Sequence, residues 1–498
     1  MRLSSILEGI VVKKIYGDAK IEISDISIDS RTVRNGFLFA AVEGFKLDGH
    51  RFARDAVKNG AAAVMSQRKL DIAPGIIQII VKDTREALPQ VSANFFGNPS
   101  RSLKIIGITG TNGKTTTCYL INSILKCAGF KTSIITTFKS YIDEREVYMD
   151  RTTPESLDLH RFFAESLEND VKYVCMEVSS HSIDLHRVDH IDFDHFVFTN
   201  LSQDHLDYHG TIEEYFKVKS RLFDPAYRKI FGGRSAIINL DDDLGKKLYK
   251  MTDLNKVSYS IEDKNADMRA SDIKSSVTGI SMILKRKNKE DMEIRSSLCG
   301  IFNIYNILAA ISTGFEIGIK RTSIIAGPES MRGFGGRFEK IDHGPGPTVI
   351  VDYAHTPDGL ENVLKTAKDI LDRGGRLLSV FGCGGDRDRK KRKLMGAVSA
   401  RIADFTIITS DNPRSERPED IIAMVEEGLK EEGSKDYMTI LDRKEAIHHA
   451  MDMAGESDIV LVAGKGHEDY QEFENGRRIH LYDPEIVKSW RNENKGKN

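Results

Sequence analysis

Residues 104–129 read KIIGITGTNGKTTTCYLINSILKCAG, and this stretch decides the fold. An apolar strand-like run, KIIGIT, passes through a turn of glycine, threonine and asparagine into a helix-period segment. Such a turn points backbone amides at the positive end of the helix dipole, which is where phosphate oxygens bind. Gly110, Thr111, Asn112, Gly113, Lys114, Thr115 and Thr116 therefore form a candidate phosphate loop. Lys114 can neutralise the distal phosphates of a nucleotide, and Thr115 can ligate magnesium. The strict Walker spacing would place glycine at Ile108, so the loop departs from that spacing at one position.

The same alternation of strand-like runs and helix-period segments continues on both sides, which predicts α/β layers around largely parallel sheets. It is clearest in the last third. After TVIVDYAH, the segment PDGLENVLKTAKDIL places Leu360, Val363, Leu364, Ala367, Ile370 and Leu371 on one helical face. Further strands are expected at RLLSVFGCG, DFTIITSD and DIVLVAGKG, with helices at KRKLMGAVSARIA and PEDIIAMVEEGLK. The loops GCGGDR, SDNPR and GKGHE then fall at carboxyl ends of strands, where open α/β sheets bind ligands. Glycine-rich MRGFGGRFE and DHGPGP mark a boundary near residue 336.

A chain of 498 residues carries a prior of about three domains at roughly 150 residues each. The expected division is 1–100, a shorter mixed α/β unit; 101–335, a central phosphate-loop unit; and 336–498, a Rossmann-like unit. Lysine plus arginine number 72 against 74 aspartate plus glutamate, so no bulk field is available for nucleic acid or an acidic membrane surface. No apolar run approaches a membrane span, and the N-terminus lacks the pattern of a targeting segment, so a cytoplasmic protein is expected. Five scattered cysteines without a CxxC pair read as free thiols rather than as a zinc site.

Two further strings carry chemistry. VCMEVSSH ends an apolar run in Glu177, a hard oxygen donor suited to magnesium, although a strand-end glutamate is solvated more often than functional. FTNLSQDHLDYHG crowds Asp204, His205 and Asp207 into one loop. In EEYFKVKSRLF, Lys219 shares a helix face with Phe216 and Phe223. A snorkelling lysine is the ordinary reading; a desolvated one has a lowered pKa and can react with carbon dioxide to give a metal-binding carbamate.

The ordered series TGTNGKTT, TTP, MEVSSH, TNLSQDHLDYHG, KSRLF, FNIYN, GRFE, DYAHTP, GCGGDRDRKKR, DNPR and GKGHEDYQ closely resembles the Mur ligases, from Asp29-Ser30-Arg31 to Glu468. Within that family it is similar to the type that adds the third peptide residue of the peptidoglycan precursor. The resemblance implies three domains and ATP-dependent amide formation with magnesium. A substrate carboxylate is phosphorylated to an acyl phosphate, which the incoming amine then attacks. It implies Lys114, Glu177, His205 and Lys219 as catalytic residues, with Thr115, Glu177, His205 and the Lys219 carbamate around metal. Asn303 would lie on the adenine side, and Arg337 and Asp352 would contact the nucleotide. Ser30, Thr152, Thr153, Ser179 and Arg187 would hold the UDP-N-acetylmuramoyl-L-alanyl-D-glutamate substrate.

Asp411, Asn412, Pro413 and Arg414, with Arg387, Gly464 and Glu468, resemble the pocket for meso-2,6-diaminopimelate. Arg414 would pair with the distal carboxylate and Glu468 with the distal ammonium. Two departures are visible: Leu185 stands where many members have glutamine, and Phe45-Lys46-Leu47 replaces a more polar loop. The rivals are a lysine- or ornithine-adding ligase of the same family, a folate polyglutamate ligase, a non-catalytic nucleotide-binding regulator and a small-molecule kinase. DNPR, the TTP and SSH strings, and the joint presence of Lys114, Glu177, His205 and Lys219 weigh against them. A monomer is the expected state.

Overall fold

In the computed structural model, which describes all residues except 45–46, 277–278, 332–334, 372–373 and 495–498, KIIGIT is the strand Lys104–Thr109. It lies near the middle of an eleven-stranded sheet. Its neighbours Phe193–Phe198 and Tyr173–Glu177 run parallel to it, followed outward by Gly232–Asn239 and Thr132–Ile135. A parallel sheet buried on both faces calls for continuously apolar strands, and all six residues of Phe193–Phe198 are buried. Antiparallel hairpins extend both edges, a feature that strand–helix alternation does not announce.

The helix Lys114–Cys127 starts at Gly113, whose φ of +84° is open to glycine at little cost. A side chain there would also collide with Asn306, since a Cβ would lie 2.2 Å from its Oδ1. The helix packs Leu120, Ile121, Ile124 and Leu125 against Ile304, Ile307, Leu308 and Ile311 of the helix Ile301–Glu316. Each such fully buried side chain is worth roughly 1.5–3 kcal/mol of transfer free energy.

Two smaller sheets flank this layer. The N-terminal one has five strands in the order Val12–Tyr16, Ile77–Val81, Ala61–Ser66, Phe37–Ala40 and Ile26–Ser27, with only the first antiparallel. The C-terminal one has six, in the order Glu339–Ile341, Thr348–Asp352, Ile459–Ala463, Leu377–Phe381, Phe405–Ile408 and Tyr437–Thr439. Again only the first is antiparallel. The expected helix over PDGLENVLKTAKDIL is Pro357–Asp369, and Leu360, Val363, Leu364 and Ala367 are buried while Ile370 and Leu371 sit partly covered at its end. Arg443 and Asp483, both fully buried, form a two-pronged ion pair that ties the Arg443–Met453 helix to the last helix. Of the departures noted in the sequence, Phe45 and Lys46 lie outside the described residues, as do Arg332–Phe334 of the glycine-rich boundary.

The three domains are held together by polar contacts. Arg161 grips Asp25 of the N-terminal domain with two nitrogens at 2.9 and 3.1 Å. Asp358 of the C-terminal domain accepts hydrogen bonds from Asn112, at 2.7 Å, and Ser202, at 3.2 Å, both in the central domain.

Candidate functional site

The phosphate loop is closed upon itself. Lys114 Nζ donates to the carbonyls of Gly110, at 3.0 Å, and Thr111, at 2.8 Å. Thr115 donates its hydroxyl to Glu177 Oε1 at 2.6 Å, so residues 62 apart in sequence meet, one in the first turn of the helix after Lys104–Thr109 and one at the end of the neighbouring parallel strand. Glu177 also accepts from the Thr137 amide, at 3.0 Å, and the Thr137 hydroxyl, at 3.1 Å. A buried carboxylate beside a threonine hydroxyl is a hard-oxygen donor set, which suits magnesium. Among the described residues no group of three or more His, Cys, Asp or Glu side chains is gathered as a metal cluster. A magnesium ion held here would draw its protein ligands from Thr115 and Glu177.

Lys219 is 1% exposed and donates to Gly110 O at 2.9 Å and to Thr109 Oγ1 at 3.3 Å. Two ammonium groups, Lys114 and Lys219, thus converge on one carbonyl. Burial first and the Lys114 charge second hold Lys219 well below the ordinary lysine value. Lys114 is lowered by burial too, but Glu177 and Asp204 oppose the shift. The ring beneath the Lys219 ammonium is Tyr215, at 4.9 Å, one residue before the phenylalanine that helical spacing put on its face. His205 adopts a left-handed backbone, φ +55°, with its ring 4.9 Å from that of His181 and its Nε2 3.4 Å from Asp204. Burial pushes its imidazole down to about 3.

A cavity of about 400 Å3 opens beside the loop, between the central and C-terminal domains. Asn112, Gly113, Thr116, Arg337 and Asp352 line it, as do Phe302, Tyr305 and Asn306. Asn303 does not reach the wall: its amide donates to Cys299 O at 2.7 Å and its oxygen accepts from Asn306 Nδ2 at 2.9 Å. FNIYN therefore presents its second asparagine, with the first fixing it from behind. Arg337 lies over the Tyr353 ring at 4.6 Å and reaches Thr115 Oγ1 at 3.4 Å. Asp352 accepts from the Phe338 and Ala354 amides at 2.6 and 2.7 Å. Burial raises its carboxyl, partly offset by Arg337.

A second cavity, about 950 Å3, continues from the first across Tyr353 and His355, which line both. It gathers Arg387, Asp411, Asn412, Arg414, Gly464 and Glu468 from three loops at the carboxyl ends of parallel strands, with Thr152 and His205 opposite. Pro413 supports the wall without lining it. Arg414, at φ +51°, is anchored by Gly385 O at 2.8 Å. Glu468 accepts from Asn412 Nδ2 at 2.9 Å and Lys465 Nζ at 3.1 Å. Lys465, fully buried, went unread in the sequence; its place between two glycines of a strand-end loop was the available signal.

The remaining expected residues divide. Thr153 donates to Glu177 O at 2.9 Å and accepts the Ser179 amide at 3.1 Å, while Arg187 reaches Thr153 O at 3.3 Å and Glu155 at 3.0 Å. Ser179 caps the short helix Ser180–Asp184, which ends at Leu185. Of the expected muramoyl-peptide residues only Thr152 lines a cavity. Ser30 stays in the N-terminal domain, its carbonyl accepting Asn59 Nδ2 at 2.8 Å, and lines neither cavity.

Models of three families match: "Mur ligase family, catalytic domain" over residues 22–102, "Mur ligase middle domain" over 108–314 and "Mur ligase, glutamate ligase domain" over 336–466. The UDP-N-acetylmuramoyl-L-alanyl-D-glutamate–2,6-diaminopimelate ligase of Caldanaerobacter subterraneus subsp. tengcongensis is 43% identical, with 95% of each chain covered. That of Clostridioides difficile is 42% identical over 98% of each. A solved structure of a ligase of the same name superposes with a TM-score of 0.68 at 32% identity, covering 99% of both chains. A MurF ligase of Thermotoga maritima in complex with ADP, 18% identical, shares the fold with a TM-score of 0.65, covering 95% of this chain and 98% of its own. Phosphate loop, paired cavities and near full-length identity lead to one conclusion: the chain belongs to the Mur ligase family.

Proposed function

We propose that the chain is an ATP-dependent ligase that joins meso-2,6-diaminopimelate to UDP-N-acetylmuramoyl-L-alanyl-D-glutamate. The observation that carries this reading is the pair of cavities meeting at Tyr353 and His355, a phosphate loop on one and Arg414 with Glu468 on the other. A free carboxylate is a poor acyl donor. Phosphorylation supplies the leaving group, and it must happen beside the site where the amine waits.

In the first cavity, Lys114 and Arg337 offset the charge of the nucleotide's phosphates as a second anion approaches. Bound magnesium, held by Thr115 and Glu177, would add further neutralisation of those phosphates. Phe302, Tyr305 and Asn306 form the base side, and Asp352 orients the nucleotide from the C-terminal domain. In the second cavity, Arg414 and Arg387 receive the distal carboxylate and Glu468 the distal ammonium of the amino acid. Thr152, with Thr153, Ser179 and Arg187 bracing it, faces the muramoyl-peptide, whose UDP end extends toward Ser30. Both cavities are completed within one chain, which supports a monomer as the working unit. A nucleotide-linked substrate places the reaction in the cytoplasm, and among the described residues no helix is long and apolar enough to cross a membrane.

Lys219 is proposed to carry a carbamate. Its buried, deprotonation-prone amine would form a bond to the carbon of carbon dioxide and lose a proton to solvent. Lys219→Ala should lose activity, and short carboxylic acids should restore part of it. An unmodified ammonium in an active, nucleotide-bound crystal structure would rule the carbamate out.

The test of the reading is ADP release by the purified protein with ATP, magnesium and the UDP-muramoyl-dipeptide. Turnover should depend on added diaminopimelate and yield the tripeptide product by mass. Turnover with lysine at a comparable kcat/KM would defeat the assignment of the third residue.

A further inference from the structure

The roles proposed above leave one buried cation in the second cavity unused. Lys391, in the first turn of the helix Lys390–Ile402, is 6% exposed and lines the cavity. Among the described residues its ammonium has no hydrogen-bond or ion-pair partner. Lysine is seldom buried unpaired, and the positive end of a helix dipole is the least favourable place for it. Of the neighbouring carboxylates, Asp388 keeps its Oδ2 buried without a hydrogen-bond partner, and the others are engaged elsewhere. Asp388 Oδ1 accepts the Lys390 amide at 2.9 Å, and Asp204 Oδ1 accepts the His205 amide at 2.9 Å. Glu416 is held by Arg392 and Arg389. Yet the Lys391 charge is felt by Asp204, His355 and Cys383, which sets it beside the wall between the two cavities.

A lysine on a cavity wall with no hydrogen-bonded anion of its own is stabilised further when an anion arrives. We propose that Lys391 holds the reacting acyl group of the nucleotide-linked substrate, first as carboxylate and then as acyl phosphate, at the junction of the two cavities. The inference rests on the ligase reading. In the first step a carboxylate oxygen bonds to the γ-phosphorus of ATP, the bond from that phosphorus to the bridging oxygen breaks, and ADP leaves with the electron pair. In the second, the amine nitrogen bonds to the acyl carbon, the carbon–oxygen bond to phosphate breaks, and the departing phosphate takes the amine proton. A cation at the acyl oxygen offsets anion–anion repulsion in the first step and the oxyanion in the second. His205 and Asp204, opposite, belong to the central domain, so Lys391 would bring this charge only when the C-terminal domain is docked.

The experiment uses the full chain and the variants Lys391→Met and Lys391→Arg. Rapid-quench measurement of ADP formed with ATP and the UDP-muramoyl-dipeptide, without diaminopimelate, isolates the first step. Lys391→Met should slow it roughly a hundredfold at saturating substrates, the scale of one oxyanion-stabilising donor, with ATP affinity unchanged. Lys391→Arg should recover at least about tenfold of that loss. Because an unpaired buried charge is removed, Lys391→Met should also raise the melting temperature of the ligand-free protein, which the loss of a structural lysine would not do.

Normal ADP formation in Lys391→Met with a raised KM for diaminopimelate would overturn the proposal, since the anion held would then be that of the amino acid. A lowered melting temperature with activity that arginine fails to restore would overturn it as well, in favour of a structural role. If the wild-type chain forms no ADP with the dipeptide, the ligase reading itself falls, and this inference with it, whatever the variants do.

Discussion

The two cavities are built in opposite ways. The first cavity opens beside one unbroken loop, residues 110–116, whose glycines, lysine and threonines are set by a single strand-to-helix turn. The amino-acid side is assembled from residues 387, 411–414 and 464–468, carried by three loops and locked by Asn412, Lys465 and Glu468. Local chain geometry sets the phosphate loop, whereas the second cavity exists only once the C-terminal sheet has formed. On the proposed function, chemistry that any nucleotide-using enzyme needs thus sits on the local element, and the choice of substrate on the assembled one.

The largest effect expected to probe that contrast is on the contiguous side. Lys114→Ala should abolish ligation with the fold intact, costing at least ~3 kcal/mol of transition-state stabilisation, a hundredfold or more. Near-normal turnover at saturating ATP would break the assignment of the loop. On the assembled side, Arg414→Ala should lower kcat/KM for diaminopimelate by tenfold to a hundredfold, the scale of a charge-assisted pair at ~1.5–3 kcal/mol. ATP affinity should hardly change, and lysine should not become a good substrate. An unchanged preference for diaminopimelate over lysine would show that the DNPR segment does not choose the amino acid.

Asp358 joins the two sides, since it accepts from Asn112 of the phosphate loop and from Ser202. Asp358→Ala removes two hydrogen bonds, worth ~0.5 kcal/mol each at the low end of the usual range, and should raise KM for ATP about fivefold. An unaltered KM would mean that the loop is set without help from the C-terminal domain.

The smallest effect is on stability. Glu416 is drawn down to about 2 by its hydrogen bonds to Arg392. Its folded pKa lies below the ordinary glutamate value of 4.5, so its contribution is present above that value and lost as pH falls from there through about 2. The melting temperature of Glu416→Gln should therefore lie below that of the wild type near neutrality and converge with it in acid. A gap that persists below pH 2.5 or so would assign the effect to packing instead of charge.

Much of this was legible before any coordinates, for reasons that differ from place to place. The βα turn at residues 104–116 could be read because glycine, lysine and threonine act there through their own backbone. The helix Pro357–Asp369 could be read because its buried face repeats with the helical period. In FNIYN, Asn303 and Asn306 share a face, and only packing decided that Asn306 lines the cavity while Asn303 is hydrogen-bonded behind it. Lys219 shares its helix face with aromatic residues, and the ring it lies over is Tyr215, four residues before it, while its ammonium reaches Gly110 O.

The sequence by itself determined the layers, the phosphate loop and the residue types that a carboxylate-activating ligase needs, since those follow from periodicity and from chemistry carried by short strings. Tertiary structure alone decided that Thr115 meets Glu177 and that Lys114 and Lys219 share one carbonyl. It alone joined the two cavities at Tyr353 and His355 and left Lys391 without a partner. The physical reason is that these relations join residues tens to hundreds of positions apart. Their distances are set by strand register and domain docking, which no local pattern encodes.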